Sequence, residues 1–356
     1  MKKTFLFFLL TIVMSMLLFQ CAQRQPQEAQ PAADRTAQPA QPAAPPKPEP
    51  VKLTFSIFFP PTHEQAKTAD AFAKEIEKLT DGQAVISVFP GEALTKAPQV
   101  YEGVVQGLSD MGLSCFAYTR GKFPVLAALD LPLGYPNGKI ATKVANEFIK
   151  TFAPEELKDV KVLYVHAHGP GLLHTKKPVK KLSDLKKMKI RATGLSANII
   201  KALGGNPVGM PQGETYEALQ KGLVDGTIGP MEVLKGWKQA EVIKYTTDCK
   251  EIGYTTAMFV VMNLNKWNAL PQNVKDVIDQ TSQKWTELHG EAWDKIDEEG
   301  RAYTTEKKNE IITLSPDEIK KWQKAVEPVV ADFIKTTPDG QKYVDKIREL
   351  IAAYSK

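Results

Sequence analysis

The chain has 356 residues, of which 43% are hydrophobic and 24% charged, and its formal net charge is +5. This length suffices for one large core or two ordinary domains, and the composition excludes a fibrous or largely disordered protein. Residues 1–50 contribute a net +2, so the remainder carries about +3. A charge this small, without a dense basic stripe, argues against nucleic acid as a partner.

The first fifty residues are predicted to lie outside the fold. Lys2 and Lys3 precede a predominantly apolar run over residues 5–19, which is too short for a comfortable membrane span. This arrangement is typical of a secretory signal peptide, and we assign residues 1–20 to it. Export places the folded part of the chain in the periplasm.

Residues 21–50 are rich in Gln, Ala and Pro and hold almost nothing that packs into a core. Such a segment stays extended and solvated, as a tether does. Its first residue, Cys21, follows Leu18 as at lipoprotein cleavage sites, although Gln20 is larger than the residue usual before the cysteine. We therefore expect lipidation of Cys21 and a membrane tether, with a soluble periplasmic protein as the alternative.

The folded part opens with alternating strands and helices. Residues 53–58 alternate as in a strand, and residues 63–79 carry apolar side chains at three- and four-residue spacing. The second pattern predicts a helix with one face on a sheet. Further strands are predicted at 84–89 and 110–113, with a helix at 97–106 between them.

The stretch from 188 to 230 has the same order and carries a cation, Arg191, near a strand end. It predicts, in chain order, a strand at 188–192, a helix capped by Ser196 and ended by Gly204 and Gly205, a strand at 206–210, a helix at 215–221 and a strand at 224–228. This order is typical of a parallel α/β layer, which binds ligands outside the carboxyl ends of its strands.

A short internal repeat indicates two similar lobes. The spacing Tyr-Glu, four residues, Gly-Leu, one residue, Asp starts at Tyr101 and again at Tyr216. Apolar strands at 160–166 and 254–262 are predicted to cross between the lobes. The predicted boundaries are 51–168 plus about 257–297 for lobe I, and 169–256 plus about 298–356 for lobe II.

Long helices are predicted after Pro271. One apolar stripe continues to about residue 308, and Ser315 followed by Pro316 is a strong helix start. A last helix is predicted at about 339–353.

Motifs for enzymatic chemistry are scarce. No phosphate-binding loop or dinucleotide fingerprint occurs, and residues 112–116 begin like a nucleophile elbow but end in phenylalanine instead of glycine. His166, His168 and His174 have no nearby carboxylate at ligand spacing, so packing and hydrogen-bonding roles are expected for them. An exported enzyme that uses these histidines or Cys115 is the alternative.

Cys115 and Cys249 are the two cysteines after Cys21. Their pairing cannot be deduced from sequence, and two isolated buried thiols are expected.

Arg191 lies inside an otherwise apolar strand. Its charge needs a carboxylate, because a desolvated and unpaired guanidinium is costly. Two kinds of partner are open at this point: an internal one, for instance Glu214 or Asp225, or the acid group of a ligand.

Several segments carry a family resemblance. They are His63 after the first strand, F-P-G-E-A-L from Phe89, G-L-S-D-M-G from Gly107, K-I-R ending at Arg191, and E-T-Y-E-A-L-Q-K-G-L-V-D-G from Glu214. With them, residues 51 to about 343 resemble the extracytoplasmic solute-binding proteins of tripartite ATP-independent periplasmic (TRAP) transporters, the dicarboxylate-binding-protein (DctP-type) family.

The resemblance implies a two-lobed α/β fold of the type II-like periplasmic-binding-protein kind, with a ligand cleft between the lobes and long C-terminal helices that brace them. It also implies that a monomer without cofactor, metal or enzymatic activity captures a small organic acid anion. Delivery is to a membrane permease driven by an ion gradient. The family's hallmark arginine, which salt-bridges the ligand carboxylate, falls on Arg191.

Three positions depart from the family pattern. Gly171 stands where some members carry a second arginine, Gln212 where many have an aromatic residue, and Gly229 where many have asparagine. One cation among neutral donors favours a monocarboxylate with a bulky or aromatic body. A C4-dicarboxylate, an organosulfonate, or ligand presentation to a membrane sensor are the alternatives.

The expected ligand contacts are Arg191, Gln212, Phe59, His63, Ser114, Phe116, Gly171, Gly229, Met231, Tyr254 and Thr255. Candidates for an apolar wall are Phe59, Phe116, Tyr118, Trp237, Tyr254 and Phe259.

Overall fold

Two separate β-sheets organise residues 49–356, the part of the chain that the computed structural model describes. The predicted signal peptide at 1–20, the predicted lipidation site Cys21 and all but the last two residues of the predicted tether lie outside it. Among the described helices, none is both long enough and apolar enough to cross a bilayer.

The strands alternate with helices along most of the chain. The strands are β1 (Val51–Ile57), β2 (Ala84–Phe89), β3 (Met111–Cys115), β4 (Val160–Ala167), β5 (Leu172–Thr175), β6 (Lys189–Ala192), β7 (Asn206–Gly209), β8 (Gly226–Gly229), β9 (Tyr245–Asp248), β10 (Ala257–Asn263) and β11 (Glu310–Thr313). The helices are α1 (Glu64–Leu79), α2 (Val100–Val105), α3 (Gly138–Phe152), α4 (Leu195–Ala202), α5 (Gln212–Gln220), α6 (Val233–Gly236), α7 (Leu264–Ala269), α8 (Gln272–Glu306), α9 (Pro316–Thr336) and α10 (Gly340–Tyr354).

Each sheet contains a parallel core of three strands in the same order. The first sheet runs β2-β1-β3-β10-β4 and the second β11-β9-β5-β8-β6-β7. Strand β1 is parallel to β2 and β3, and β6 is parallel to β7 and β8. The prediction of two similar α/β lobes is thereby confirmed. The first lobe is the one that contains the first sheet, and the second lobe contains the second sheet.

The internal repeat marks equivalent places in the two lobes. Gly107 and Gly222 end α2 and α5 with φ of 77° and 74°, a conformation that favours glycine. Asp110 then accepts a hydrogen bond from a backbone amide of β1 at 2.8 Å. Asp225 accepts one from the first amide of β6, also at 2.8 Å. The repeated aspartate thus ties each helix exit to the central strand of its sheet.

Between the lobes, two crossing segments are fastened to each other. The Gly171 amide, after β4, donates to the Tyr254 carbonyl, before β10, at 3.0 Å. Gly253 has φ of 57°, and a Cβ there would lie 2.4 Å from the Gly134 backbone. Only glycine fits this position, because both the backbone conformation and the space exclude a side chain.

Long C-terminal helices connect both lobes, as expected. Helix α8 has 35 residues and packs on α1 and α3 of the first lobe and on α6 of the second. Helix α9 packs on α4, and α10 packs on α3 and α9. The C-terminal region therefore braces the two sheets against each other.

One predicted cap is wrong, and one helix and three short strands were not predicted. Helix α4 begins after Gly194, and the Ser196 hydroxyl instead bonds the backbone of Thr193. Sequence analysis did not predict α3, β5, β9 or β11. The three strands have four residues each, which is too short for a periodic signal.

The predicted helix start at Ser315 is confirmed and gives a stability test. Its hydroxyl accepts from the Glu318 amide at 3.3 Å, and Pro316 opens α9. Ser315→Ala leaves that amide unpaired and should cost about 1 kcal/mol of unfolding free energy. Thermal unfolding should shift down by about 2 °C.

Ser315→Asp is the matched control, since a carboxylate caps as well as a hydroxyl does. An equal loss for both variants would contradict the capping role.

Candidate ligand-binding site

A cavity of about 40 Å³ lies between the two lobes. Its walls come from the residues at or just after the carboxyl ends of β1, β3, β6 and β8, and from the start of α5. The carboxyl ends of the parallel strands of both sheets thus face the same cavity, which is where α/β sheets bind their ligands. This volume is well below the roughly 300–1,000 Å³ typical of small-molecule sites.

Arg191, the third residue of β6, carries a guanidinium into this cavity and is only 5% exposed. Its Nε donates to the Met210 carbonyl at 3.1 Å, and its Nη2 lies 3.5 Å from the Tyr118 hydroxyl. Within residues 49–356, no carboxylate lies within 4.0 Å of the guanidinium. The internal partners considered above are not in place, and Asp225 bonds the backbone of β6 instead.

Tyr118 and Gln212 form a contact across the cleft. The Tyr118 hydroxyl, from the first lobe, accepts a hydrogen bond from the backbone N–H of Gln212, at the start of α5, at 3.1 Å. Burial raises the pKa of the Tyr118 hydroxyl above its usual range, so it stays protonated. The Gln212 side-chain nitrogen is buried and has no partner among the described residues. An unpaired buried donor costs about 1–3 kcal/mol, so Gln212 is ready for a ligand acceptor.

Aromatic rings from both lobes line the cavity. Phe58 and Phe59 follow β1, Trp237 follows α6, Tyr254 precedes β10, and Trp293 lies on α8. Phe58 and Trp237 stack with centroids 6.1 Å apart at an interplanar angle of 15°. Such walls suit a flat apolar ligand body. Phe58 and Trp293 were not among the predicted wall residues.

The two glycines predicted for the site behave differently. A Cβ at Gly171 would lie 1.9 Å from the ring of Tyr254. The space at Gly171 is therefore filled by that ring and is not open to the ligand. A Cβ at Gly229, which lines the cavity, would meet only Val233 at 3.5 Å.

Two predicted hydroxyl contacts are already used by the protein backbone. Ser114 is fully buried and donates to the Ala97 carbonyl at 2.8 Å. Thr255 donates to the His168 carbonyl at 2.5 Å. Neither residue lines the cavity. Each hydroxyl is buried and satisfied by a backbone carbonyl, as is usual for polar groups in a protein core.

Three further predicted contacts lie outside the lining. Phe116 packs on Phe259 in the core, with ring centroids 5.2 Å apart, so Phe259 is not part of the cavity wall either. Met231 belongs to the core of the second lobe. His63 stands one layer behind the cavity, where its ring lies 4.5 Å from that of Phe59.

Glu232 is a lining residue that was not predicted from the sequence. It is 3% exposed, and its Oε2 lies 2.9 Å from Nε2 of His63. The only sequence signal was its place just after Gly229 at the end of β8, where ligand contacts are expected.

The hydrogen-bonding roles predicted for His166 and His174 are confirmed, whereas His168 lines the cavity. His174 bonds the Thr246 hydroxyl at 3.0 Å, and His166 Nδ1 accepts from the Trp293 indole at 2.9 Å. Burial lowers the pKa of His174 to about 4. Cys115 lines the cavity with a thiol whose pKa burial raises, and both it and Cys249 are free and buried.

A two-lobed α/β fold with a buried arginine that has no carboxylate partner in residues 49–356 is the arrangement expected of a protein that binds an anionic solute. Residues 55–336 match the bacterial extracellular solute-binding proteins, family 7, and the chain belongs to that family. The members are periplasmic solute-binding proteins of transport systems and not enzymes.

Several relatives are named for, or were solved with, organic acids, and the solved ones share the fold. A monocarboxylate 2-oxoacid-binding periplasmic protein of Nostoc sp. is 30% identical over 59% of this chain, and the chain spans 59% of that relative's length. A TRAP solute-binding protein of Rhodoferax ferrireducens, solved with copurified benzoate, is 28% identical with TM-score 0.82, covering 86% of this chain and 98% of its own. A marine metagenome TRAP protein specific for aromatic acids, solved with 3-hydroxybenzoate, is 30% identical with TM-score 0.82, covering 86% and 99%.

A second buried carboxylate between the lobes gives a pH test. Asp130 is 5% exposed and accepts from the Ala257 amide, at the start of β10, at 3.0 Å. Burial raises the pKa of Asp130 to about 7. Its stabilising contribution is full below about pH 4, where the unfolded group is also protonated, and is lost as the pH rises through about 7.

Asp130→Asn keeps the acceptor oxygen and removes the titration. Thermal unfolding of this variant should fall less than that of the wild type between about pH 5 and pH 8. Asp276→Asn, at an exposed position of α8, is the control and should follow the wild-type slope. Parallel pH profiles for wild type and Asp130→Asn would refute the assignment.

Proposed function

We propose that this protein captures a monocarboxylate with a bulky or aromatic body in the periplasm and delivers it to an ion-gradient-driven TRAP permease. The observation that carries the proposal is the enclosed Arg191 guanidinium, which has no carboxylate partner within residues 49–356 and lies among aromatic walls. A planar guanidinium fork holds two carboxylate oxygens, and enclosure removes competing water.

The ligand class is supported by two independent observations. Rings from both lobes line the cavity, and the two solved relatives described above hold benzoate and 3-hydroxybenzoate. A second carboxylate on the ligand finds no further cation in the lining and would face Glu232. Like charges at close range in a low-dielectric space repel, which disfavours a C4-dicarboxylate.

Binding should depend on Arg191. Arg191→Ala removes the ion pair with the ligand and should weaken binding of benzoate by about 2–5 kcal/mol, or roughly 30- to 5,000-fold in Kd. Arg191→Lys keeps the charge but loses the fork, so it should bind with intermediate affinity. Isothermal titration measures both.

Arg348→Ala, at an exposed position of α10, is the matched control and should bind as the wild type does. Equal affinity of wild type and Arg191→Ala for every aromatic acid would remove the proposed function.

The Gly171–Tyr254 contact should set the shape of the cavity. Gly171→Ala places a Cβ where the Tyr254 ring now lies, and the displaced ring should narrow the ligand space. We expect a loss of roughly 1–3 kcal/mol in stability together with weaker benzoate binding. Adding Tyr254→Ala should recover part of the stability, because the clash disappears.

Gly213→Ala is the control, since a Cβ at Gly213 meets no atom within 4 Å. Unchanged unfolding temperature and affinity in Gly171→Ala would show that the ring position is not fixed by this contact.

Membrane tethering through a lipid on Cys21 belongs to the same proposal and is supported by the sequence of residues 1–50. Cys21→Ala should move the protein from the membrane fraction to the soluble periplasmic fraction, because the thioether that carries the lipid is lost. Fractionation with immunodetection measures this. A wild-type protein already in the soluble fraction would favour the untethered alternative.

A further inference from the structure

The cavity contains an acidic residue whose position is fixed by several contacts at once. The backbone amide of Glu232 donates to Asp297 on α8 at 2.8 Å. A Cβ at Gly300, one turn further along α8, would lie 2.3 Å from the Met231 carbonyl and 3.0 Å from Cα of Glu232. Glycine at 300 therefore lets the backbone of Glu232 lie directly against the helix. These two contacts fix the position of the Glu232 backbone beside the cavity.

His63 orients the Glu232 side chain. Nδ1 of His63 accepts from the Gln65 amide at 3.2 Å at the start of α1, so the ring hydrogen is on Nε2. Nε2 then donates to Oε2 of Glu232 at 2.9 Å. A Cβ at Gly236 would lie 2.6 Å from Oε2 and 2.8 Å from Nε2. Glycine at 236 thus leaves the room that the pair needs.

The second carboxylate oxygen of Glu232 has no protein donor in the described part of the chain. Within residues 49–356, no hydrogen bond reaches Oε1, and Arg191 is not within salt-bridge distance of Glu232. Oε1 keeps some exposure, so it is reachable from the cavity. Because Glu232 lines the cavity, a bound ligand is in a position to supply that donor.

We propose that Glu232, oriented by His63, recognises a hydrogen-bond donor on the ligand, a hydroxyl or an ammonium group, separate from the carboxylate that Arg191 binds. The inference rests on the proposed function and narrows it to carboxylates that carry such a donor. Arg191 binds the carboxylate of the ligand, the aromatic walls contact its apolar body, and Glu232 accepts a hydrogen bond from its second polar group. His63 acts through Glu232 and is a positioning residue.

The test compares ligands that differ only in the donor. Isothermal titration is run with benzoate, with its 3- and 4-hydroxy derivatives and with its 3- and 4-aminomethyl derivatives. The tightest donor-bearing acid should bind wild type roughly 10- to 150-fold more tightly than benzoate, as a charge-assisted hydrogen bond provides. Preference for the hydroxyl or for the aminomethyl series identifies which donor the site takes, and either result supports the proposal.

Glu232→Gln should reduce this preference at least fivefold and leave benzoate binding almost unchanged. His63→Ala should reduce the preference in the same direction, a change that a merely structural role does not produce. Glu298→Gln, at an exposed position of α8, should keep the wild-type preference. Benzoate binding and thermal unfolding of each variant show that it is folded.

Two failures are distinguishable. If benzoate binds in an Arg191-dependent manner but no donor-bearing acid binds more tightly, or Glu232→Gln keeps the full preference, the role of Glu232 is refuted and the proposed function stands. If no aromatic acid binds and Arg191→Ala equals wild type, the proposed function itself fails.

Discussion

An enclosed guanidinium without a carboxylate partner is the constraint around which this molecule is organised. The buried Arg191 has only a backbone carbonyl and a tyrosine hydroxyl as partners among the described residues. Neutral acceptors compensate a desolvated charge poorly, so the closed arrangement favours an anion from outside. In the proposed function, the ligand acid completes an ion pair that the described part of the protein leaves open.

Residues that make contacts between the two lobes also belong to the candidate site. Tyr118 of the first lobe reaches Arg191 and Gln212 of the second, and His63 of the first lobe reaches Glu232 of the second. Each pair joins segments on opposite sides of the cavity. Under the proposed function, a ligand that contacts one side of such a pair would also favour the arrangement in which the pair is formed.

Space in the site is set as much by absent side chains as by present ones. The Tyr254 ring, the His63–Glu232 pair and the backbone at Glu232 each occupy a place that a Cβ at a nearby glycine would take. Close packing makes such positions specific, because even one extra carbon must displace a neighbour. The shape of the cavity therefore depends on glycines, which leave room for neighbouring groups because they have no Cβ.

The sequence by itself determined the parallel strand–helix layers, the repeat of the two lobes, the capped C-terminal helix and Arg191 at a strand end. Each of these depends on short-range periodicity or on capping and turn residues, which are local in the chain. Only the tertiary structure decided which side chains face the cavity. Ser114 and Thr255 are used by nearby carbonyls, and Glu232 meets His63 across 169 residues. Contacts between distant segments depend on how whole elements pack, and no local pattern specifies them.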